Sequence, residues 1–237
     1  MKNFLKNSRT GLLSVLIMLG AINVAAAQTV PDTLAQRVKA CVACHGQEGR
    51  ATTDGFYPRI AGKPAGYLLN QLRNFRDAKR TYPMMTYMVA HLNESYLQEI
   101  AEYFASLNPP YAAPQPNQAS AAALERGRVL VKLGDTSKKL PACISCHGDK
   151  MTGLAPFIPG LLGLPRDYLV AQLGAWQTGS RHATAPDCMH SVAKQLDASD
   201  IAAVSAWLAT QNLPVDTKAP LAAKDFKLPL ACGSVLP

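Results

Sequence analysis

The sequence has no glycine-rich motif of the kind that binds the phosphates of flavin, nicotinamide or nucleotide cofactors, although glycine occupies 16 of its 237 positions. Aromatic residues are also few, at 7% of the total, so a protein-only core would have little large apolar material. An apolar run from Leu12 to Leu19 is shorter than the ~20 residues of a membrane span. Nucleotide-dependent chemistry therefore has no support in the sequence, and the short apolar run disfavours a membrane span.

Cysteine is scarce as well, with six residues, but four of them lie in two copies of one motif. The copies run from Cys41 to His45 and from Cys143 to His147. Cys-x-x-Cys-His is the attachment motif of haem c, in which each thiol adds to a vinyl group and the histidine ligates the iron. The sequence therefore predicts two covalently attached haem groups. The predicted attachment residues are Cys41, Cys44, Cys143 and Cys146, and the predicted proximal iron ligands are His45 and His147.

Two other kinds of site use Cys-x-x-Cys: a redox-active dithiol and half of a zinc site. Neither explains the histidine that follows each pair. A zinc site would also need both pairs to share one metal, whereas the two copies lie about a hundred residues apart, each within its own copy of a longer repeat. Haem attachment is therefore the preferred interpretation, and a porphyrin would supply core material that the aromatic residues do not.

The N-terminus has the pattern of a secretory signal. Three cations, Lys2, Lys6 and Arg9, precede the apolar run, and the small-residue stretch Ala25 to Ala27 follows it. This order predicts export to the periplasm with cleavage after Ala27. A retained N-terminal anchor is the alternative, but the run is short and Asn23 interrupts it.

The net charge gives no support for a nucleic-acid partner. The formal charge of +8 includes the three cations of the predicted signal, so 8 − 3 leaves +5 for the mature chain. Two haems carry four propionates, and their ionisation would bring the protein close to neutrality. Any docking charge must therefore be a local patch.

An internal repeat at an offset of 101 residues marks a duplicated domain. A proline-rich stretch without helical period, residues 108–123, is predicted to be the linker between the copies. The predicted domains are residues 28–107 and 124–213, followed by a C-terminal tail, 214–237. The recurring residues are Phe56, Pro58, Gly62, Pro64, Tyr67, Gln71, Leu72 and Arg80, matched by Phe157, Pro159, Gly163, Pro165, Tyr168, Gln172, Leu173 and Arg181.

Apolar periodicity predicts helices in both halves. The first is expected to begin after an N-cap at Asp32, and the last helix of each half is expected to bury one apolar stripe. The predicted helices are 33–43, 67–75, 124–133 and those that follow Asn93 and Asp197.

The repeat also indicates the sixth ligand of each iron, for which methionine is the leading candidate. Met189 stands seven residues before Leu196, and Met85 stands at the same distance before the equivalent Leu92. Met151 lies too close in sequence to the second motif to cross easily to the opposite haem face. Met85 and Met189 are therefore the predicted axial methionines.

Other candidates for the sixth ligand lack a counterpart in the other half. Met84 and Met88 are expected to fill the core. Three histidines remain as competing ligands, and a second imidazole would lower the haem potential. They are His91, His182 and His190, which are otherwise expected at the surface.

On these residues the sequence resembles the exported dihaem cytochromes c of the cytochrome c-four type. The resemblance implies an all-α fold of two tandem class I cytochrome c domains, each wrapped around one covalent haem, with His and Met axial ligands. It also implies that the carbonyls of Pro58 and Pro159 orient the proximal imidazoles. The features that carry it are the two motifs, the segments Tyr57–Gly62 and Tyr67–Phe75, and the placement of Met85 and Met189.

The resemblance implies an electron carrier without catalytic residues. Single electrons would pass from a periplasmic or membrane-bound dehydrogenase, or a quinol-oxidising complex, to an acceptor such as a terminal oxidase. Docking would be transient, and membrane association could arise through those partners. The alternatives are a dihaem redox enzyme of the peroxidase or thiosulfate-oxidising type and a dedicated cytochrome subunit of an exported dehydrogenase. Paired methionines favour the carrier, because His/Met iron has no open position.

Two cysteines lie outside the haem motifs, Cys188 and Cys232. Their even number and the oxidising compartment predict a disulfide between them, which would tie the tail to the loop that carries Met189. The competing interpretation is that the Cys188 thiolate ligates the second iron, which would favour the enzyme.

Overall fold

The computed structural model describes residues 31–53, 55–114, 116 and 118–235, so the predicted secretory signal, 1–27, lies outside the described residues. The described part is mainly helical, with ten α-helices and one two-stranded sheet. In chain order the elements are α1 (Leu34–Arg37), α2 (Lys39–His45), α3 (Ala65–Arg76), α4 (Pro83–Val89), α5 (Glu94–Ser106), α6 (Ala121–Lys132), α7 (Ile144–His147), β1 (Gly153–Leu154), β2 (Ile158–Pro159), α8 (Arg166–Thr178), α9 (Cys188–Ala193) and α10 (Ala198–Ala209).

The predicted helix 33–43 is wrong in detail, because the chain forms two short helices here. Thr33, and not Asp32, caps α1 by accepting a 3.3 Å hydrogen bond from the backbone N–H of Gln36. The break falls at Val38, whose side chain is buried in the first hydrophobic cluster at 1% exposure. The first haem motif therefore lies on a separate helix, α2.

The first hydrophobic cluster lies between α3 and α5. Leu68 and Phe75 of α3 pack against Leu97 and Phe104 of α5. The predicted cap Asn93 is confirmed, since its side chain accepts a 2.9 Å bond from the backbone N–H of Tyr96. Residues spaced by three and four positions thus bury one stripe of each helix.

The second hydrophobic cluster lies between α6, α8 and α10. Helices α6 and α10 approach so closely at Gly127 that a Cβ there would stand 2.2 Å from the carbonyl oxygen of Ala203. The predicted cap of α10 is confirmed: Asp197 accepts a 2.8 Å bond from the N–H of Asp200. The cluster includes Leu130, Ile201, Val204 and Leu208.

A two-stranded antiparallel sheet, β1 paired with β2, follows the second haem motif. It is too short to change the fold class, and the all-α prediction is confirmed. Each strand has only two residues, so neither could be found by an alternating pattern, which needs four or more. In the described part of the chain, no helix has both the length and the apolar character of a membrane span.

The connecting segment between the halves is held by Arg59, which is 3% exposed. Its guanidinium donates to the carbonyls of Pro109 (2.5 Å) and Pro110 (3.1 Å) and lies 3.7 Å from the ring centre of Tyr111. Helix α6 begins at Ala121, so the last residues of the predicted linker 108–123 are helical.

The C-terminal tail lies against both halves. The backbone N–H of Ala155 donates a hydrogen bond to the carbonyl of Pro220 in the tail (2.7 Å), and the carbonyl of Ala155 accepts one from the N–H of Ala222 (3.2 Å). Near its end the carbonyl of Ser234 accepts a 3.0 Å bond from the Asn70 side chain on α3. The tail therefore has hydrogen-bonded anchors although it has little helical structure.

Candidate functional site

The first Cys-x-x-Cys-His motif lies on α2 and projects from one face of it. Cys41, Cys44 and His45 are three and four residues apart, the spacing that aligns side chains on a helix. The two thiols are half-buried and unpaired, and His45 is 7% exposed. Burial raises the pKa of the Cys41 thiol, so it is protonated at neutral pH, unlike the reactive thiol of a redox dithiol.

The second motif has the same arrangement on α7. Cys143 directly precedes the helix, while Cys146 and His147 occupy its last two positions. Burial raises the pKa of Cys143 to about 12 and also raises the pKa of Cys146. His147 is 7% exposed. Both motifs therefore offer two thiols beside one buried imidazole.

The tautomer of each predicted proximal histidine is fixed by a proline carbonyl. Nδ1 of His45 lies 2.8 Å from the oxygen of Pro58, and Nδ1 of His147 lies 2.8 Å from the oxygen of Pro159. A carbonyl oxygen can only accept, so Nδ1 carries the proton and the lone pair stands on Nε2. Each ring is thus set to present Nε2 to a metal.

Burial keeps both imidazoles neutral. It lowers the pKa of His45, an effect that the hydrogen bond to Pro58 partly offsets, and it lowers the pKa of His147 in the same way. A neutral, oriented imidazole beside two thiols is the set of side chains that haem c requires. The residues of both motifs therefore fit the predicted cofactor.

The two predicted axial methionines lie on short helices of corresponding position. Met85 is on α4 and packs against the first hydrophobic cluster, as Cys41 does. Met189 is the second residue of α9 and is half-buried. The expectation that Met84 fills the core is wrong, because this residue is 55% exposed. Met88 packs against the first hydrophobic cluster, and Met151 is 2% exposed within the second.

The three competing histidines have other surroundings. His91 and His182 are exposed. His190 donates from Nδ1 to the carbonyl of Trp176 at 3.1 Å, and its ring lies 5.9 Å from that of His182.

Cys188 and Cys232 are joined by a disulfide, 44 positions apart in sequence. Cys188 is the first residue of α9 and immediately precedes Met189. The backbone N–H of Gly233 donates to the carbonyl of Pro186 at 2.9 Å. The tail is thus fixed to the segment that carries the predicted ligand of the second iron.

Sequence reasoning missed the polar cluster at the contact between the halves. Arg80 and Arg181 meet there, together with Gln71 and Gln172. All four belong to the internal repeat, and the recurrence of polar residues outside the haem motifs was the available signal. Lys63 was also missed: it is buried and donates to the carbonyl of Gly160 at 2.9 Å.

Comparison with known proteins places this geometry among cytochromes. The family model for cytochrome c matches residues 33–108. A thiosulfate dehydrogenase electron acceptor of Thiomonas intermedia (strain K12) is 39% identical over 173 residues, 73% of this chain and 79% of that protein. Cytochrome c4 of Pseudomonas aeruginosa is 34% identical over 201 residues, 83% of this chain and 96% of that protein.

A solved structure of thiosulfate dehydrogenase, TsdBA from Marichromatium purpuratum in its as-isolated form, superposes with a TM-score of 0.67 at 36% identity. The match covers 76% of this chain but only 39% of that one. The chain therefore corresponds to less than half of that protein's length.

Proposed function

The chain belongs to the cytochrome c4 family of dihaem electron-transfer proteins with covalently bound haem c, and we propose that it is the electron acceptor of a thiosulfate dehydrogenase. The observation that carries the proposal is the 39% identity to a thiosulfate dehydrogenase electron acceptor, which exceeds the 34% identity to a cytochrome c4. The likeness to part of a thiosulfate dehydrogenase structure supports the same partner.

In this proposal the residues of each half hold one haem, which supplies a one-electron couple when bound. Cys41 and Cys44 would hold the haem of the first half through thioether bonds, and Cys143 and Cys146 would hold that of the second. His45 with Met85 and His147 with Met189 would ligate the two irons. The carbonyls of Pro58 and Pro159 hold the imidazoles in the tautomer that ligation needs.

Two ligands on each iron leave no position for a substrate, so the proposed protein is a carrier and has no catalytic residues. The main alternative was a dihaem enzyme with Cys188 as a ligand. Because Cys188 Sγ is bonded to Cys232, its sulfur is engaged, which supports the carrier. The proposed location is the periplasm, after cleavage of the secretory signal, where the oxidising environment maintains the disulfide.

Stopped-flow spectroscopy tests the proposed partner. The oxidised dihaem protein is mixed with a purified thiosulfate dehydrogenase and thiosulfate, and the reduced haem bands are followed. We expect reduction much faster than with thiosulfate alone, and a rate that falls with ionic strength if local charge steers docking. Reduction no faster than in the enzyme-free control would contradict the proposal.

A second candidate function is a general carrier from a quinol-oxidising complex to a terminal oxidase. It is favoured by the similarity to cytochrome c4 of Pseudomonas aeruginosa, because the match covers 96% of that protein's length. The same experiment with a purified quinol-oxidising complex as the donor separates the two. Fast reduction by that complex and not by the dehydrogenase would make the second function the correct one.

A further inference from the structure

A lysine of the first half, Lys63, reaches into the second half. Its Nζ donates a hydrogen bond of 2.9 Å to the carbonyl oxygen of Gly160. Gly160 directly follows Pro159, whose carbonyl oxygen accepts the hydrogen bond of 2.8 Å from Nδ1 of His147. The ammonium group is therefore bound to the residue next to the one that orients the predicted proximal imidazole of the second half.

The backbone is fixed at both ends of this contact. In the first half, the N–H of Gly62, the residue before Lys63, donates to the carbonyl of Phe104 on α5 at 2.9 Å. In the second half, Gly160 directly follows the paired strand β2, and a Cβ at this glycine would stand 2.6 Å from the carbonyl oxygen of Thr152. Most lysine ammonium groups extend into water. That of Lys63 instead occupies a defined position inside the protein.

The charge of Lys63 has no carboxylate partner in the part of the chain that the structure describes. Its hydrogen bond goes to a neutral carbonyl, and the ion pairs of the described residues are formed by other cations. A small cavity beside it is lined by neutral residues, among them Tyr111, Met151 and Thr152. A buried, unpaired charge is weakly screened, so its field acts over several ångströms.

The predicted proximal ligand of the second iron lies within that field. Burial is the main cause that lowers the pKa of His147, and the positive charge of Lys63 lowers it further, against the opposing effect of the hydrogen bond to Pro159. The same charge must act on any cation that the imidazole holds, because the Coulomb interaction does not depend on the kind of cation.

The first half has no equivalent of this contact. The residue 101 positions after Lys63 is Leu164, which is buried and uncharged. At His45, where burial also has the largest effect on the pKa, the cation that lowers it further is Arg80, a residue of the same half. Among the described residues, His147 is therefore the predicted proximal ligand that senses a cation from the other half.

We propose that Lys63 is an electrostatic tuning residue of the second haem: its buried positive charge, contributed by the first half, raises the reduction potential of the second iron. The proposal rests on ligation of that iron by His147. Ferric iron carries one more positive charge than ferrous iron, so a fixed cation nearby disfavours the oxidised state. The potential of the second haem then depends on the packing of the two halves against each other.

Potentiometric titration of the dihaem protein at pH 6 tests the assignment, with the haem methyl signals in the proton NMR spectrum reporting each haem separately. At this pH Lys63 is charged, because its pKa, which burial lowers, is still about 8. We expect Lys63→Met to lower the equilibrium constant for reduction of the second haem by about tenfold, or about 59 mV for one electron. The constant for the first haem should change by less than about twofold.

Lys150→Met is the matched control, because this exposed lysine stands three residues after His147 in sequence. Water screens its charge, so both potentials should stay within about twofold of the wild-type equilibrium constants. An unchanged second haem in Lys63→Met, an equal shift of both haems, or the same shift in Lys150→Met would overturn the proposal.

Lys63→Arg separates charge from packing. Arginine keeps the positive charge, so we expect the potential of the second haem to stay close to that of the wild type. Equal lowering in Lys63→Arg and Lys63→Met would show that packing, and not charge, is responsible, which refutes the proposal. If Lys63→Met does not fold, Lys63→Gln must give the same lowering, and an unmoved potential in that variant refutes the proposal as well.

The ligation on which the proposal rests is checked separately. Lys63→Met should keep two low-spin haems and the full near-infrared band of His/Met iron, because Lys63 contacts neither His147 nor Met189. No redox partner enters the titration, so its result does not depend on which donor reduces the protein. Loss of the low-spin signal of the second haem in Lys63→Met would mean that Lys63 holds the ligands in place, and the tuning role would be wrong.

Discussion

Nδ1 of His147 donates a hydrogen bond of 2.8 Å to the carbonyl oxygen of Pro159, twelve residues away. His45 and Pro58 repeat the relationship at the same distance. Because the acceptors are backbone oxygens after each haem motif, the orientation of each imidazole is fixed by the path of the chain. This hydrogen bond of the predicted proximal histidine is therefore equivalent in the two halves, so it does not distinguish one predicted haem site from the other.

The first prediction concerns the proposed distal ligands. Met189→Leu keeps the side-chain volume but removes the thioether, so we expect the second iron to become five-coordinate and high-spin. The weak near-infrared band of ferric His/Met haem should lose about half its intensity, and Met85→Leu should remove the other half. The control is Met84→Leu, at a methionine that is 55% exposed. The ligand assignment would be contradicted if the band lost intensity in Met84→Leu, or if it kept its full intensity in Met189→Leu.

The second prediction concerns the disulfide. Replacing both Cys188 and Cys232 by serine opens a loop of 44 positions, which should lower the free energy of unfolding by about 4 kcal/mol in the chain-entropy model. Urea titration of the dihaem protein measures this change. Since Cys188 is adjacent to Met189, the near-infrared band should also become easier to abolish with an added ligand such as imidazole.

The two single variants serve as the controls for that loss. Each breaks the same bond, so Cys188→Ser and Cys232→Ser should be equally destabilised. If the spectrum changes only in Cys188→Ser, the sulfur of Cys188 has a role at the iron, and the tether alone does not explain its presence.

Sequence patterns located the parts of the fold that depend on local chemistry. The haem motifs, the stripe on α5 and the caps Asn93 and Asp197 are local, and the structure has these helices where they were predicted. The strands β1 and β2 were not predicted, because two residues carry no periodic signal. The break at Val38 was missed, because it depends on burial against helices that lie later in the chain.

Long-range polar contacts were beyond sequence reasoning for a different reason. Arg80 and Arg181 were recognised as repeated residues, but their contact exists only when the two halves are packed together. Arg59 has no repeated partner, because the equivalent position is Gly160. Arg59 is held in its buried position by a hydrogen bond to the carbonyl of Pro109, fifty residues away in sequence. No local sequence pattern predicts a contact over that separation.

The third prediction concerns the buried carboxylate of Asp200, which is 2% exposed. It accepts hydrogen bonds from Arg126 (2.8 Å) and Lys138 (2.5 Å). Asp200→Asn would place an amide N–H₂ group against these cations. We expect the free energy of unfolding to fall by about 2 kcal/mol, which is less than for a fully buried ion pair because both cations are partly exposed. Asp167→Asn, at a side chain that is 91% exposed, should cost almost nothing.

The pH dependence of that loss has a definite sign. Burial alone would raise the pKa of Asp200, but the hydrogen bonds from Arg126 and Lys138 outweigh it and lower the pKa below its ordinary 3.8. A carboxyl group whose pKa is lower in the folded state than in the unfolded state stabilises the fold at pH values above its unfolded-state pKa. That stabilisation is lost as the pH falls through the folded-state pKa. The difference between wild type and Asp200→Asn should therefore be constant above about pH 5 and shrink in more acidic solution. A difference that persists unchanged at acid pH would exclude the ion pairs as its cause.

The fourth prediction concerns Lys63, whose ammonium is buried beside the second half. Its Nζ donates to the carbonyl of Gly160 at 2.9 Å, and the side chain is 8% exposed. Burial, with the nearby charge of Arg59, lowers its pKa from 10.5 to about 8. The folded state therefore binds this proton less tightly than the unfolded state does. Between about pH 8 and pH 10.5 the unfolded chain keeps the proton that the folded chain has lost, so this group makes stability rise with pH.

Lys63→Met tests that sign because methionine keeps most of the apolar stem and removes the charge. The free energy of unfolding of the wild type minus that of the variant should be flat below about pH 7 and increase by up to about 3 kcal/mol by pH 10.5. Chemical denaturation at a series of pH values measures the difference, in which titrations common to both proteins cancel. Lys224→Met, at an exposed lysine of the tail, should give no such increase. A difference for Lys63→Met that falls as the pH rises would mean that an anion holds the Lys63 ammonium in its charged form.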